Sequence, residues 1–425
     1  MRNWITKTLF RVPVILFLTA FFYNSSEAQY LINNDSAFLA KMPNTARIWG
    51  YVFGDYFYKA HADSLNRGGN NQYTNVKQST NEFQFRRIYL GFDYNINKTF
   101  STEFLLAAED DFPTGDLLVN NKFVPYIKFA NVRWHDFLFK GNDMIVGLQP
   151  TPAFPYMTEY LFQYSRPVER TVTDIRRTPS FDFGIGLQGR FNSKNNAVSY
   201  GYNLLAANGT SDKPQNLAVP VYKWFYGDAF IGFLNRRLVF DLYADYQRQN
   251  WSAGALNKSA RQMTKGAIVW TTPKLVVGVE SYINGLQNAE TGINGAIKDT
   301  LNGRAIGTSF YIQYAVSSMF KLFFRYDTYN PNTMYNNTQY TKYATLYTIS
   351  TSYEPNNKER FLSAGFDFSP TRNIHFIPNI WYDKYLGQQA NLVGKAATDY
   401  DLVYRLTFYF TFGKMFAYPT YSYYH

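Results

Sequence analysis

The 425-residue chain contains no cysteine. A disulfide framework, a thiolate zinc site and a cysteine nucleophile are therefore excluded. Charge is sparse: 17% of residues are charged, fewer than the 19% that are aromatic. Histidine is scarcer still, present only as His61, His135, His375 and His425. No pair of them has i, i+2 or i, i+4 spacing, so no zinc-protease signature exists, and nothing local places a Ser or Asp beside a His as a hydrolase needs. Long apolar runs are missing beyond the N-terminus, which excludes a bundle of membrane-crossing helices. No 3.6-residue periodicity persists after residue 46. With 27 glycines and 17 prolines spread along it, the chain is punctuated too often for a long coiled coil. What it has in abundance is Phe (38) and Tyr (37), a composition that buries surface and excludes disorder.

The first 28 residues read as an export address. Arg2, Lys7 and Arg11 precede an apolar stretch, Val12 to Tyr23, that is too short to span a bilayer. Asn24-Ser25-Ser26-Glu27 ends it, and the small residues Ser26 and Ala28 place cleavage after Ala28. Removing three cations and one anion takes the formal charge from +11 to +9. Residues 29–46 are expected to be periplasmic and 415–425 to form a tail, flanking one domain over 47–414.

In that domain, segments of roughly ten residues alternate with a period of two. In the last one, Tyr400, Leu402, Tyr404, Leu406, Phe408, Phe410 and Phe412 share a face opposite Asp401, Arg405, Thr407, Tyr409 and Thr411. The same alternation runs through Arg87 to Tyr94, Leu238 to Gln247 and Phe320 to Asp327. The apolar face is too long and too aromatic for a half-buried soluble strand, and it matches a strand that crosses a membrane. Reversing the last segment would put Arg405 into lipid at a cost of roughly 2–4 kcal/mol near the midplane. Over Lys122 to Trp134 the parity fails, with Lys128 and Arg133 on opposite faces, which predicts a bulge.

Short polar turns at Asn97-Lys98, Lys140–Asn142, Asn192–Asn196, Leu234–Arg237, Pro273-Lys274, Ser317-Ser318 and Pro370–Arg372 alternate with longer stretches. These lie at about 61–81, 109–121, 150–182, 208–221, 250–259, 285–303, 329–358 and 386–398. That alternation calls for 16 strands, with two more if Tyr340 to Tyr353 joins the wall. In hydrocarbon every backbone polar group needs an internal partner, so an open sheet is excluded and the strands must close. The expected fold is an all-β transmembrane antiparallel barrel with short periplasmic turns, long external loops and a water-filled lumen.

Gly184 to Gly189 matches G-x-G-x-x-G, but the segment is itself a strand pattern and opens no helix, so a nucleotide site is not expected. Its small inward residues would leave room for something folded against them. Glu109-Asp110-Asp111 with Asp116 lacks calcium-loop spacing and reads as a solvated loop. The stretch 150–182 carries Pro150, Pro152, Pro155, Pro167 and Pro179 beside Arg166, Arg170, Arg176 and Arg177. It is expected to fold into the lumen and line a constriction with permanently charged guanidinium groups. By parity, Arg87, Arg190, Arg261, Lys265, Lys321, Arg325 and Arg405 face the same lumen, together with Asp93, Asp241, Asp245 and Asp327.

Phe85-Arg86-Arg87-Ile88-Tyr89-Leu90-Gly91-Phe92 resembles the early Arg-Arg strand of the phosphate-selective porin O and P family. So do Ser165 to Arg170 and Phe183 to Gly189, and Gly365 to Asn373 continuing to Pro378-Asn379 is similar to members from the Bacteroidota. The resemblance covers about 45–414. It implies a 16-stranded trimeric porin with an inward third loop, and it carries an anion or phosphate preference to Arg87, Arg166 and Arg170. No regular arginine ladder is traceable, and Phe412 is followed by Gly413 to His425 instead of ending the chain.

The expected function is passive diffusion of small solutes, preferably anions such as phosphate, across the outer membrane of a Gram-negative cell. No cofactor, metal, nucleic acid or catalysis is called for. The expected partners are the permeating anions, the surrounding lipid and lipopolysaccharide, and two further copies of the chain. Two alternatives stand: a carbohydrate or general-solute channel, suggested by the Tyr and Trp content, and a non-conducting barrel serving as a structural or export-complex component.

Overall fold

The computed structural model describes residues 45–416 apart from 69–70, 110–117, 120–121, 154–160, 163, 165–167, 169–178, 194–196, 210–221, 249–259, 295–296, 337–354 and 389–392. The expected signal segment and residues 417–425 lie outside the described residues.

Sixteen strands form the wall. They are β1 (Thr45–His61), β2 (Asn81–Asn95), β3 (Phe100–Glu109), β4 (Tyr126–Trp134), β5 (Asn142–Pro150), β6 (Phe181–Asn192), β7 (Ser199–Ala207) and β8 (Trp224–Phe233). They continue as β9 (Leu238–Arg248), β10 (Ala260–Thr271), β11 (Leu275–Asn294), β12 (Ile297–Ala315), β13 (Phe320–Asn330), β14 (Lys358–Thr371), β15 (Ile374–Leu386) and β16 (Thr398–Phe416). Each pairs with its sequence neighbours, and β1 closes antiparallel on β16, with Tyr51 opposite Thr411 and Phe57 opposite Arg405. Closure leaves no edge, as a hydrocarbon environment requires. Leu118–Val119 and Lys122–Phe123 form a small separate ladder.

The seven short connections fall where the polar turns predict them, and the long ones collect at the other end of the barrel. β13 pairs directly with β14, and Tyr340 to Tyr353 lies outside the described residues. One expected loop is different. At 285–303, β11 and β12 keep pairing out to Asn294 opposite Ile297, with one irregularity between Leu286 and Glu290. A polar sequence does not end a ladder by itself, because each strand still satisfies the other's backbone.

The two faces separate as the alternation demands. In β16, Asp401, Val403, Arg405 and Thr407 are buried, whereas Tyr404, Leu406, Phe410 and Phe412 are exposed. Asp241, Tyr243 and Asp245 in β9 are buried against exposed Phe240, Leu242 and Tyr246. Rings gather near both ends of the outer face: Tyr56 on Phe83 and Tyr382 on Tyr400 at the long-loop end, Phe320 on Phe368 and Phe191 on Tyr200 at the short-turn end. These are the aromatic girdles of a membrane barrel.

Two bulges re-aim cations. Opposite Phe53 and Gly54 the β2 register slips at Arg86, so Arg86 and Arg87 both turn inward, where each guanidinium lies over the Phe53 ring at 5.1 and 5.8 Å. Parity alone assigns Arg87 to the lumen and misses Arg86. Gly54 allows the slip, because a Cβ there would lie 2.2 Å from the Gln84 carbonyl oxygen. The second bulge is the one expected in β4. The register shifts at Lys128, which lets Lys128 reach Glu109 while Arg133 reaches Asp143, both on the inner side.

Candidate functional site

The lumen is the candidate site, and among the described residues two loops enter it. The third long loop leaves β5 at Thr151, which holds the neck by donating to the Pro179 carbonyl at 2.6 Å. Ala153 packs inside on Tyr226, Tyr243 and Tyr282, and the Lys265 ammonium donates to its carbonyl. Deeper, Phe162 stacks on Tyr311 at 4.6 Å and Tyr164 on Phe323 at 4.4 Å. The Tyr164 hydroxyl donates to Asp367 at 3.1 Å, and Val168 joins the same cluster with Val239, Val269 and Ile377. Those wall residues lie near the short-turn ends of their strands, so the loop crosses much of the barrel's depth. Aromatic burial of this size fastens it to the wall far more firmly than a solvated loop would be held.

The first long loop, 62–80, also enters, which no sequence signal announces. Tyr73 is 1% exposed and packs between Phe57, Phe361 and Trp381 on the inner wall. The Lys59 ammonium donates to the Tyr73 carbonyl at 2.7 Å and pairs with Asp401 at 3.0 Å. Asp63 and Ser64 amides donate to Asp401 and Asp399, and Arg67 pairs with Asp63. Burial, with Asp55 adding to it, pushes the Tyr73 phenol well above its ordinary value, so it stays a neutral donor. Buried acids of β1 and β16 are thus the loop's sockets, which strand parity places inside without showing what they hold.

The expected basic residues have different surroundings. Arg87 is half-buried beside the Tyr89 hydroxyl at 3.5 Å. Arg190 and Lys321 are also half-buried. Arg261 lies 4.2 Å over the Trp224 ring, a short cation–π contact. Lys265 is buried between Ala153 and Glu280, the latter at 4.0 Å. Arg325 is buried and paired with Asp327. Arg405 is buried, donating to Asn379 at 2.8 Å and to Gln72 of the first loop at 3.3 Å. Arg166, Arg170, Arg176 and Arg177 lie outside the described residues. The space beside Gly186 is taken by the Gln149 side chain of β5, whose amide donates to the Ile145 and Gly184 carbonyls at 3.2 Å.

At the short-turn end, Ser101 Oγ lies 2.8 Å from His135 Nε2, and His135 Nδ1 lies 3.2 Å from Asp143. This is the order of groups in a serine-hydrolase relay, brought together from three places in the chain. Ser101 is only 2% exposed, however, and Asp143 also accepts from Arg133 and from the Asp136 amide, each at 3.1 Å. A serine sealed in this way offers no oxygen to a substrate carbonyl. The cluster pins β3, the turn between β4 and β5, and β5 together. Among the described residues no group of three metal-binding side chains forms.

No family model matches the sequence, and no match is found among curated proteins. Solved structures do match. The outer membrane channel DcaP of Acinetobacter baumannii superposes at TM-score 0.53 and 10% identity, over 86% of this chain and 97% of that one. The anion-selective porin from Comamonas acidovorans does so at TM-score 0.53 and 11% identity, over 86% and 99%. At such identity the likeness shows the fold. The class is therefore defined: a closed 16-stranded antiparallel β-barrel. Within that class its architecture is that of the porin channels.

Proposed function

We propose that this barrel lets small hydrophilic solutes diffuse passively across the outer membrane, with a preference for anions, phosphate among them. Residues 1–28 would direct export and be removed, and the barrel would work as a homotrimer in lipid and lipopolysaccharide. The observation that carries the anion preference is which inner-wall charges meet the lumen water. Arg87, Arg190, Arg261 and Lys321 are half-buried, as are Arg47 and Arg133, which pair with Asp93 and Asp143. Among the described residues of that face, the carboxylates are buried apart from Glu82, Glu103 and Glu109. Buried, bonded acids contribute less to the potential felt by a passing ion than half-exposed guanidinium groups do. To these we add Arg166, Arg170, Arg176 and Arg177 of the third loop, with Lys265, Arg325 and Arg405 as fixed background charge.

The test is the reversal potential of the protein in a planar bilayer under a KCl gradient. The expected sign favours chloride, and replacing the four third-loop arginines by Ala moves the potential toward zero. A potassium-favouring sign, or an unchanged potential in that variant, overturns the assignment. A specific observation favours a second reading: two loops occupy the lumen, as in a closed barrel serving as a structural component. Absence of conductance in the same bilayer would select it. A carbohydrate or general-solute channel draws on inner-wall rings such as Trp224, Tyr226 and Tyr243, but these are buried around Ala153. Liposome swelling by oligosaccharides would favour it.

A further inference from the structure

At mid-height on the inner wall, two guanidinium groups from different strands converge on one neutral oxygen. Arg86 Nη1 donates to Gln72 Oε1 at 2.8 Å, and Arg405 Nη1 donates to the same oxygen at 3.3 Å. The opposite end of that carboxamide does the reverse. Gln72 Nε2 donates to Asp55 Oδ2 at 3.4 Å. Asp55 pairs with Arg86 at 2.6 Å and accepts from the Thr407 hydroxyl, so its carboxylate is held in place. Arg86, Arg405, Asp55 and Gln72 are all buried, and of these only Gln72 belongs to a loop. The other three sit on β2, β16 and β1, which adjoin at the barrel's closure seam.

We propose that Arg86, Arg405 and Asp55 form an oxyanion site that the first loop keeps shut, with the Gln72 carboxamide standing where the ligand would bind. Guanidinium forks bind anionic oxygen more strongly than they bind an amide carbonyl. A ligand that replaces the carboxamide must also do what Gln72 Nε2 does: donate a hydrogen bond to a carboxylate. The fitting class is an oxyanion that still carries a proton near neutral pH, such as inorganic phosphate or a phosphomonoester. Sulfate carries none, so one of its oxygens would face the Asp55 carboxylate as acceptor against acceptor. This inference rests on the anion-preferring reading of the lumen and gives it a specific site, with the first loop as its built-in competitor.

The experiment measures current block of the full-length channel in planar bilayers by inorganic phosphate, and by sulfate at equal ionic strength. Gln72→Ala is expected to lower the half-blocking phosphate concentration about tenfold, the size of one charge-assisted hydrogen bond, and to leave sulfate unchanged. Gln72→Glu, which tethers a carboxylate in the site, is expected to weaken the phosphate block below that of the natural chain. Adding Arg405→Gln to Gln72→Ala removes the gain. A phosphate response in Gln72→Ala equal to that of the natural chain, or an equal gain for sulfate, overturns the proposal. Reversal under KCl alone reads the general preference separately. A potassium-favouring sign with the phosphate gain intact would remove the selectivity reading and leave this site standing.

Discussion

Lys265 shows what an inner-wall charge does besides facing water. Its parity in β10 places it inside, and that much is readable from the alternation around it. Its partners are not readable, because Ala153 is 112 positions away in the chain. An ammonium that is 2% exposed and held by a loop carbonyl and by Glu280 serves the loop before it serves a passing ion. Lys265→Met should therefore cost about 3 kcal/mol, the range for breaking a buried pair, seen as a lower midpoint in urea titration of the barrel in lipid vesicles. An unchanged midpoint would show that the tether contributes nothing. Arg86 is the opposite case. Its neighbour Arg87 has the lumenal parity, and only the register slip at Gly54 brings Arg86 in beside it.

At the scale of elements, strands and turns follow from local chemistry, and inserted loops follow from surfaces that exist only once the barrel is closed. The third loop reads as a constriction from its prolines and arginines, yet what holds its described part in place is aromatic. Phe162 and Tyr164 find Tyr311 and Phe323 on strands more than a hundred residues later. Replacing both with Ala should remove roughly 3–5 kcal/mol of packing per ring, free the loop from the wall, and raise both single-channel conductance and current noise. Unchanged conductance in the double variant would show that this segment does not set the pore's width. The first loop carries no comparable signal. Its Gln72 and Tyr73 are ordinary loop residues until Asp55, Arg86, Arg405 and Trp381 surround them.

For the whole molecule, the solvent outside the wall is the constraint on every strand. Leu406 is 42% exposed on the outer face of β16, between inward Arg405 and Thr407. Leu406→Arg should lower stability by about 2–4 kcal/mol if that face meets hydrocarbon near the midplane, measured by urea titration in vesicles. A variant as stable as the natural chain would mean the face is wet, and the membrane placement would fail. The closed wall also explains why a chain of modest charge hides so many carboxylates. An interior lined by strands and entered by loops can bring donors to buried acids, as it does for Asp55, Asp367 and Asp401.

The sequence by itself determined most of the wall: the order of its strands, their turns and, outside the slips at Arg86 and Lys128, the face each side chain takes. Alternation and turn chemistry are local, and an apolar solvent leaves closure as the one way to satisfy the strand backbones. The tertiary structure alone decided what fills the interior, namely the first loop's entry, the third loop's aromatic seat and the meeting of Arg86, Arg405, Asp55 and Gln72. Many of those contacts join residues more than a hundred positions apart, and no period in the chain encodes which distant side chains a closed barrel will bring face to face.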